Sequence, residues 1–308
     1  MRIFYYVSLV AILIFFLLSR VFAQSLVRDD IGQIIQIHQP AKRVISLAPN
    51  LTEILFAIGA GNTIVGISSG DNYPAAVRHI PIIANYSYIN VEAILALHPD
   101  LIVAWQDGNS MSELSRLQQL GFPIYFAKFA EIKDITHTMS NLALLMGTQK
   151  SAAPIIAQIR QGFSSLQKKY AGRFSVPVFY QIWQYPLFTI NRHSFINQVI
   201  HLCGGRNIFA DAQGNVLQVN QEAVLAAGPL AIITSESDPN WQQPWLKWQE
   251  LAAVHYKNLY RISPELIERP GPRLLQGAVL MCNDLQVARI STDPNKKTSL
   301  IRLDLNNK

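Results

Sequence analysis

The chain has 308 residues, a formal net charge of +6 and hydrophobic side chains at half its positions, enough apolar material for two cores. Its Lys and Arg residues are scattered, with the densest cluster around Lys296-Lys297, so no basic stripe suited to nucleic acid is present. The 7 histidines lack metal-ligand or triad-like spacing, Ser68-Ser69 lacks a glycine-flanked nucleophile elbow, and Gly59-Ala-Gly61 follows a helix rather than preceding one. These features argue against an enzyme, a resident metal or a bound cofactor.

In chain order, Met1-Arg2 and the apolar run ending at Leu18 read as a secretory leader, with Val21 and Ala23 at the −3 and −1 positions of a cleavage site. Residues 1–23 are therefore expected to be a signal peptide. An uncleaved anchor is the alternative, since Arg20 interrupts the end of the run. No Cys follows to carry a lipid, and no later stretch is long and apolar enough to cross a bilayer. Residues 24–42 read as an extended lead-in, in which the alternation over 33–38 predicts an edge strand.

The first lobe, 43–147, opens with Arg43-Val-Ile-Ser-Leu-Ala-Pro49, a strand that runs into a helix capped by Asn50. Strands are predicted at 64–67, 101–104 and 124–127, alternating with helical stretches, which argues for a parallel sheet. Ile155, Ile156, Ile159, Phe163 and Leu166 keep helical spacing, with Pro154 near the start, and predict one long connecting helix over 148–172. The second lobe, 173–285, opens with a strand over 176–182 and ends after a helix from Arg273. The tail, 286–308, alternates polar and apolar residues and belongs to neither lobe.

One segment occurs twice. Asn90-Val-Glu-Ala-Ile-Leu-Ala-Leu-His-Pro99 and the apolar run to Trp105 return as Asn220-Gln-Glu-Ala-Val-Leu-Ala-Ala-Gly-Pro229 and the run to Ser235. The copies lie about 130 residues apart, too far for a solenoid and suited to one copy per lobe. Each is a short capped helix, a proline and a buried strand, and each sets a glutamate, Glu92 or Glu222, at the same place. Export bears on the two cysteines, Cys203 and Cys282: an oxidising compartment favours a disulfide between them, and two buried thiols are the alternative.

These residues resemble bacterial periplasmic substrate-binding proteins whose lobes are joined by a rigid helix, in particular the cobalamin (vitamin B12)-binding branch that feeds an ABC importer. The likeness rests on Arg43-Val-Ile-Ser-Leu, Val65-Gly-Ile-Ser-Ser69, Tyr73-Pro74, Asn90-Val-Glu92 and Pro99-Asp-Leu-Ile-Val-Ala-Trp105. In the second lobe it rests on Phe188-Thr189, Asn197-Gln-Val199, Cys203-Gly-Gly-Arg-Asn-Ile-Phe209, Glu222, Glu268-Arg269, Pro272-Arg273 and Cys282-Asn283. It implies an α/β fold of two Rossmann-like lobes with parallel-rich sheets, joined by one long helix, and a ligand cleft between them. The paired cysteines favour the cobalamin branch.

The resemblance also implies roles. Glu92 and Glu222 would dock on arginines of a permease dimer at the inner membrane. Trp105 and Phe188 match cleft aromatics, Tyr86 falls where a tryptophan is usual, and Tyr73 keeps its aromatic place beside Pro74. Glu268 and Arg269 match a segment that reaches the ligand from the second lobe. Gly70, Val216 and Leu266 depart, standing where relatives carry aromatic rings. Trp183, Tyr185, Trp241, Trp245 and Trp248 are the residues available to compensate. A periplasmic, monomeric carrier of a corrinoid is expected, with no nucleic-acid partner. A haem or ferric-siderophore carrier on the same scaffold is the alternative, and Tyr73 and Tyr86 are the phenols a haem iron would use.

Overall fold

The computed structural model describes residues 25–37, 40–214 and 216–292. The expected leader, residue 38 of the expected edge strand and the tail beyond residue 292 lie outside the described residues. The chain enters as a hairpin of β1 (Ser25–Arg28) and β2 (Ile34–Ile37), paired antiparallel. Its turn is closed by the Asp29 carboxylate, which accepts the N–H groups of Ile31 and Gln33 at 3.1 and 2.7 Å. Val27, Ile35 and Ile37 pack into the main core, and Asp30 accepts hydrogen bonds from Tyr125 and Thr138, so the hairpin is fastened to the first lobe.

The first lobe runs β3 (Val44–Ser46), α1 (Pro49–Ala57), β4 (Ile64–Ser68), β5 (Ile82–Ala84), α2 (Val91–Leu97), β6 (Leu101–Trp105), α3 (Met111–Gln119), β7 (Ile124–Ala127) and α4 (Ile132–Met146). Its five strands are all parallel, in the order β5-β4-β3-β6-β7. Both faces are covered, which explains the unbroken apolar runs. Leu101 and Val103 point into one core while Ile102 and Ala104 point into the other. Asn50 does not cap α1: the helix begins at Pro49, whose ring sets φ and whose missing N–H costs nothing in the first turn, and Asn50 is buried inside it.

The connecting helix α5 (Gln149–Tyr170) is continuous over 22 residues. Ala152, Ile156, Ile159, Phe163 and Tyr170 form its buried stripe, with Ile155 and Leu166 partly buried beside them. Pro154 lies in its second turn. Gly162 permits close crossing with the last helix, since a Cβ there would lie 2.4 Å from the Leu275 side chain.

The second lobe contains β8 (Val176–Gln181), β9 (Trp183–Gln184), β10 (Leu187–Ile190), α6 (Phe195–Leu202), β11 (Gly205–Asn207), β12 (Val216–Gln218), α7 (Gln221–Ala227), β13 (Ala231–Thr234), α8 (Gln243–Leu246), α9 (Ala252–His255), β14 (Leu259–Arg261), α10 (Pro264–Ile267) and α11 (Leu274–Ser291). Four parallel strands, β11-β8-β13-β14, form its main sheet, and β12-β10-β9 form a small antiparallel one. Cys203, at the end of α6, is bonded to Cys282 within α11. Helix α11 runs past residue 285, where the lobe was expected to end. Ala288 is buried, and Arg289 donates to the carbonyls of Phe174 and Gly204, which ties this last turn to the lobe.

Candidate ligand-binding cleft

Both main sheets change winding direction at their centre. In the first lobe the chain moves outward from β3 to β5, then returns to β6; in the second it moves from β8 to β11, then returns to β13. Such switch points open a crevice at the carboxyl ends of the strands, where ligands bind in α/β sheets. The loops at these ends face one another. Asn50, Gly70, Asn72 and Ala130 of the first lobe reach Pro270, Arg269 and Gln198 of the second.

Trp105 ends β6 at the first switch point. Its ring is half-buried, packed edge-on against Phe129 with centroids 6.3 Å apart. Asn109 holds the two switch-point loops together: its side chain accepts the Trp105 N–H and donates to the Leu47 carbonyl, both at 2.8 Å. Phe188, on β10, is half-buried. Tyr73 is half-exposed, with the Arg273 guanidinium 4.2 Å from its ring centroid. Tyr86 is 89% exposed, on a turn shaped by the Asn85 side chain, which accepts the N–H groups of Ser87 and Tyr88.

Arg269 points across the cleft. Its guanidinium donates to Glu53 Oε1 at 3.0 Å, Asn72 Oδ1 at 2.8 Å and the Gly70 carbonyl at 3.0 Å. Arg273 holds the same carboxylate with two bonds, Nε to Oε2 at 2.8 Å and Nη2 to Oε1 at 2.6 Å. Glu53 is only 2% exposed at its side chain, so two cations from one lobe neutralise a buried anion from the other. The carboxylate in turn pushes the Arg273 pKa upward through its hydrogen bond. Asp71, on the same floor, is pushed up to about 6 by burial, against the pull of Thr52, the Ser68 N–H and Arg269. Glu268 turns inward to accept the Ser235 hydroxyl, and burial raises its pKa.

Glu53 and Arg273 were not among the predicted site residues. The signal for Glu53 was a carboxylate amid Leu51, Ile54 and Leu55 on a buried helix face, where a charge needs a partner. Of the candidate compensating aromatics, Trp241 and Trp245 are core, Trp248 is half-buried against them, and Trp183 and Tyr185 are exposed. Glu92 and Glu222 lie exposed in the first turns of α2 and α7. The caps of these helices match: Asn90 accepts the Ala93 N–H and Asn220 the Ala223 N–H, each at 2.9 Å. A separate groove of about 1240 Å³ runs along α4, α5 and α6, lined by residues such as His137, Arg160, Gln198 and His201, and includes none of Trp105, Phe188, Tyr73, Tyr86, Glu268 and Arg269. Among the described residues no cluster of His, Cys, Asp or Glu is arranged to hold a metal, and no helix is long and apolar enough to cross a membrane.

Two α/β lobes facing one another across a cleft and joined by a single continuous helix are the architecture of a substrate-binding protein. The chain belongs to the Periplasmic binding protein family, whose profile matches residues 44–266. It is 36% identical over 251 residues to the vitamin B12-binding protein of Vibrio cholerae serotype O1, covering 81% of this chain and 91% of that protein. The crystal structure of the periplasmic vitamin B12 binding protein BtuF of Vibrio cholerae aligns with a TM-score of 0.76 at 35% identity, over 81% of this chain and 98% of that one. The periplasmic heme binding protein HutB of Vibrio cholerae, at 16% identity and a TM-score of 0.69 over 79% of this chain and 98% of that one, shares the fold.

Proposed function

We propose that this protein captures cobalamin or a related corrinoid in the periplasm and delivers it, as a monomer, to the permease of an ABC importer. The observation that carries the ligand assignment is 36% identity to a vitamin B12-binding protein over 81% of this chain, which supports reading Trp105, at the end of β6, and Phe188, on β10, as aromatic walls of the cleft from opposite lobes. A flat, largely apolar macrocycle with amide arms suits aromatic walls and a few fixed polar groups. Tyr73 extends the aromatic surface, and Arg269 and Glu268 supply polar groups from the second lobe. Tyr86 is free to fold over the rim. The ligand is carried unaltered, so the protein is a carrier and not an enzyme.

Glu92 and Glu222 serve the permease, not the ligand. Two carboxylates on rigid, equivalently capped helices offer a two-point register for a pseudo-symmetric dock. The disulfide between Cys203 and Cys282 suits the oxidising periplasm. Titration calorimetry with cyanocobalamin, cobinamide and hemin tests the ligand: submicromolar corrinoid binding is expected. Absence of heat with both corrinoids, together with tight hemin binding, overturns the assignment in favour of a haem carrier.

A further inference from the structure

We propose that Trp183, on the hairpin that leaves β8, is a ligand-contacting and specificity-determining residue, forming with Phe188 the aromatic platform of the second lobe. The inference rests on the corrinoid reading above and adds a residue to it. Only Ile182 separates Trp183 from the carboxyl end of β8, so the residue starts at the second lobe's switch point, facing the first lobe.

The strand register then fixes its direction. Trp183 stands directly opposite Phe188 in the antiparallel pairing of β9 with β10. Opposed residues of such a pair emerge on the same face, and their neighbours on the other. The neighbour Leu187 is buried in the second lobe's core with Phe179 and Trp245. Trp183 and Phe188 therefore project away from that core, into the cleft.

The indole is prepared for an apolar partner. It is 53% exposed, yet its N–H is already satisfied by the Tyr185 carbonyl at 2.9 Å, so the ring is held in place and asks no hydrogen bond of a ligand. The other edge strand of this small sheet, Val216–Gln218, brings no aromatic residue. Trp241 and Trp245 are sealed in the core, with the Trp245 N–H bound to Gln181. Trp183 is thus the second-lobe tryptophan with a free face beside Phe188, and a planar macrocycle lying on Phe188 covers it.

Calorimetric titration of cyanocobalamin into the wild-type protein and into Trp183→Leu and Trp183→Phe tests the proposal, with thermal melting to verify that each variant is folded. Trp183→Leu keeps apolar bulk but lacks the π face, and is expected to bind about fivefold more weakly. Trp183→Phe is expected to restore affinity to within about twofold of wild type. Wild-type affinity in Trp183→Leu overturns the role of Trp183 and leaves the corrinoid reading intact. Failure of the wild-type protein to bind cyanocobalamin overturns both.

Discussion

Helix α2 of the first lobe is capped by Asn90 and followed by His98, with φ 42°, before Pro99; helix α7 of the second is capped by Asn220 and followed by Gly228, with φ 58°, before Pro229. The same caps, the same exposed glutamate and the same left-handed exit recur on both lobes. At the cleft floor the likeness ends. The first lobe supplies acids, Glu53 and Asp71, and the second supplies Arg269 and Arg273. Two related lobes have kept their symmetry where a pseudo-symmetric partner is proposed to dock, and have become complementary where they meet one another. Arg269, proposed to reach the ligand, is held by the opposite lobe through Glu53, Asn72 and Gly70, so the cleft floor is clasped by the groups that line it.

Breaking that complementarity is expected to have the largest effect on stability. Glu53→Ala removes the anion from between two partly buried guanidiniums and should cost about 3 kcal/mol in denaturant unfolding. An unchanged midpoint would mean that the lobes do not depend on this contact. The continuous helix α5 remains in that variant, so the lobes stay joined.

A smaller effect concerns pH. In each lobe burial pushes an aspartate far above its usual range: Asp71 to about 6 in the first and Asp284 to about 7 in the second. A folded pKa above the unfolded value of 3.8 means that the native state binds more protons in this window. Their contribution is fully present below the unfolded value of 3.8 and is lost progressively as pH rises from there through about 6 for Asp71 and about 7 for Asp284. Thermal melts at pH 3.5 and pH 7.5 should show Asp71→Asn and Asp284→Asn each relieving about 2 kcal/mol at the higher pH, with little gain at the lower. An equal effect at both values would show that desolvation is not the cause. Smallest of all is the helix exit. His98→Gly gives the first lobe the second lobe's residue at a left-handed position, and should stabilise by about 0.5–1 kcal/mol in the same melts.

The repeat and the parallel strands were legible because strands buried on both faces leave unbroken apolar runs, and α5 because its stripe recurs at helical spacing. What the chain pattern hid was long-range. Arg269 stood out, but its partner Glu53 is 216 residues away, and no local pattern links them. The end of α11 was hidden because residues 286–291 alternate in polarity, while burial of Ala288 and the Arg289 bonds, which decide the matter, are tertiary. Five candidate aromatics were indistinguishable by type; burial of Trp241 and Trp245 and exposure of Trp183 and Tyr185 separate them.

The symmetry of the two rims is tested most directly by cobalamin uptake through the importer reconstituted in liposomes with Glu92→Arg, Glu222→Arg and the double variant. Both residues lie exposed on helices outside the cleft floor, so cobalamin affinity should stay within about twofold of wild type. If they dock as proposed, uptake should fall in each single variant and reach background in the double one, because each change would replace the proposed attraction to a permease cation with repulsion. Wild-type uptake by the double variant, or loss of cobalamin binding in either single variant, would contradict a docking role for these carboxylates.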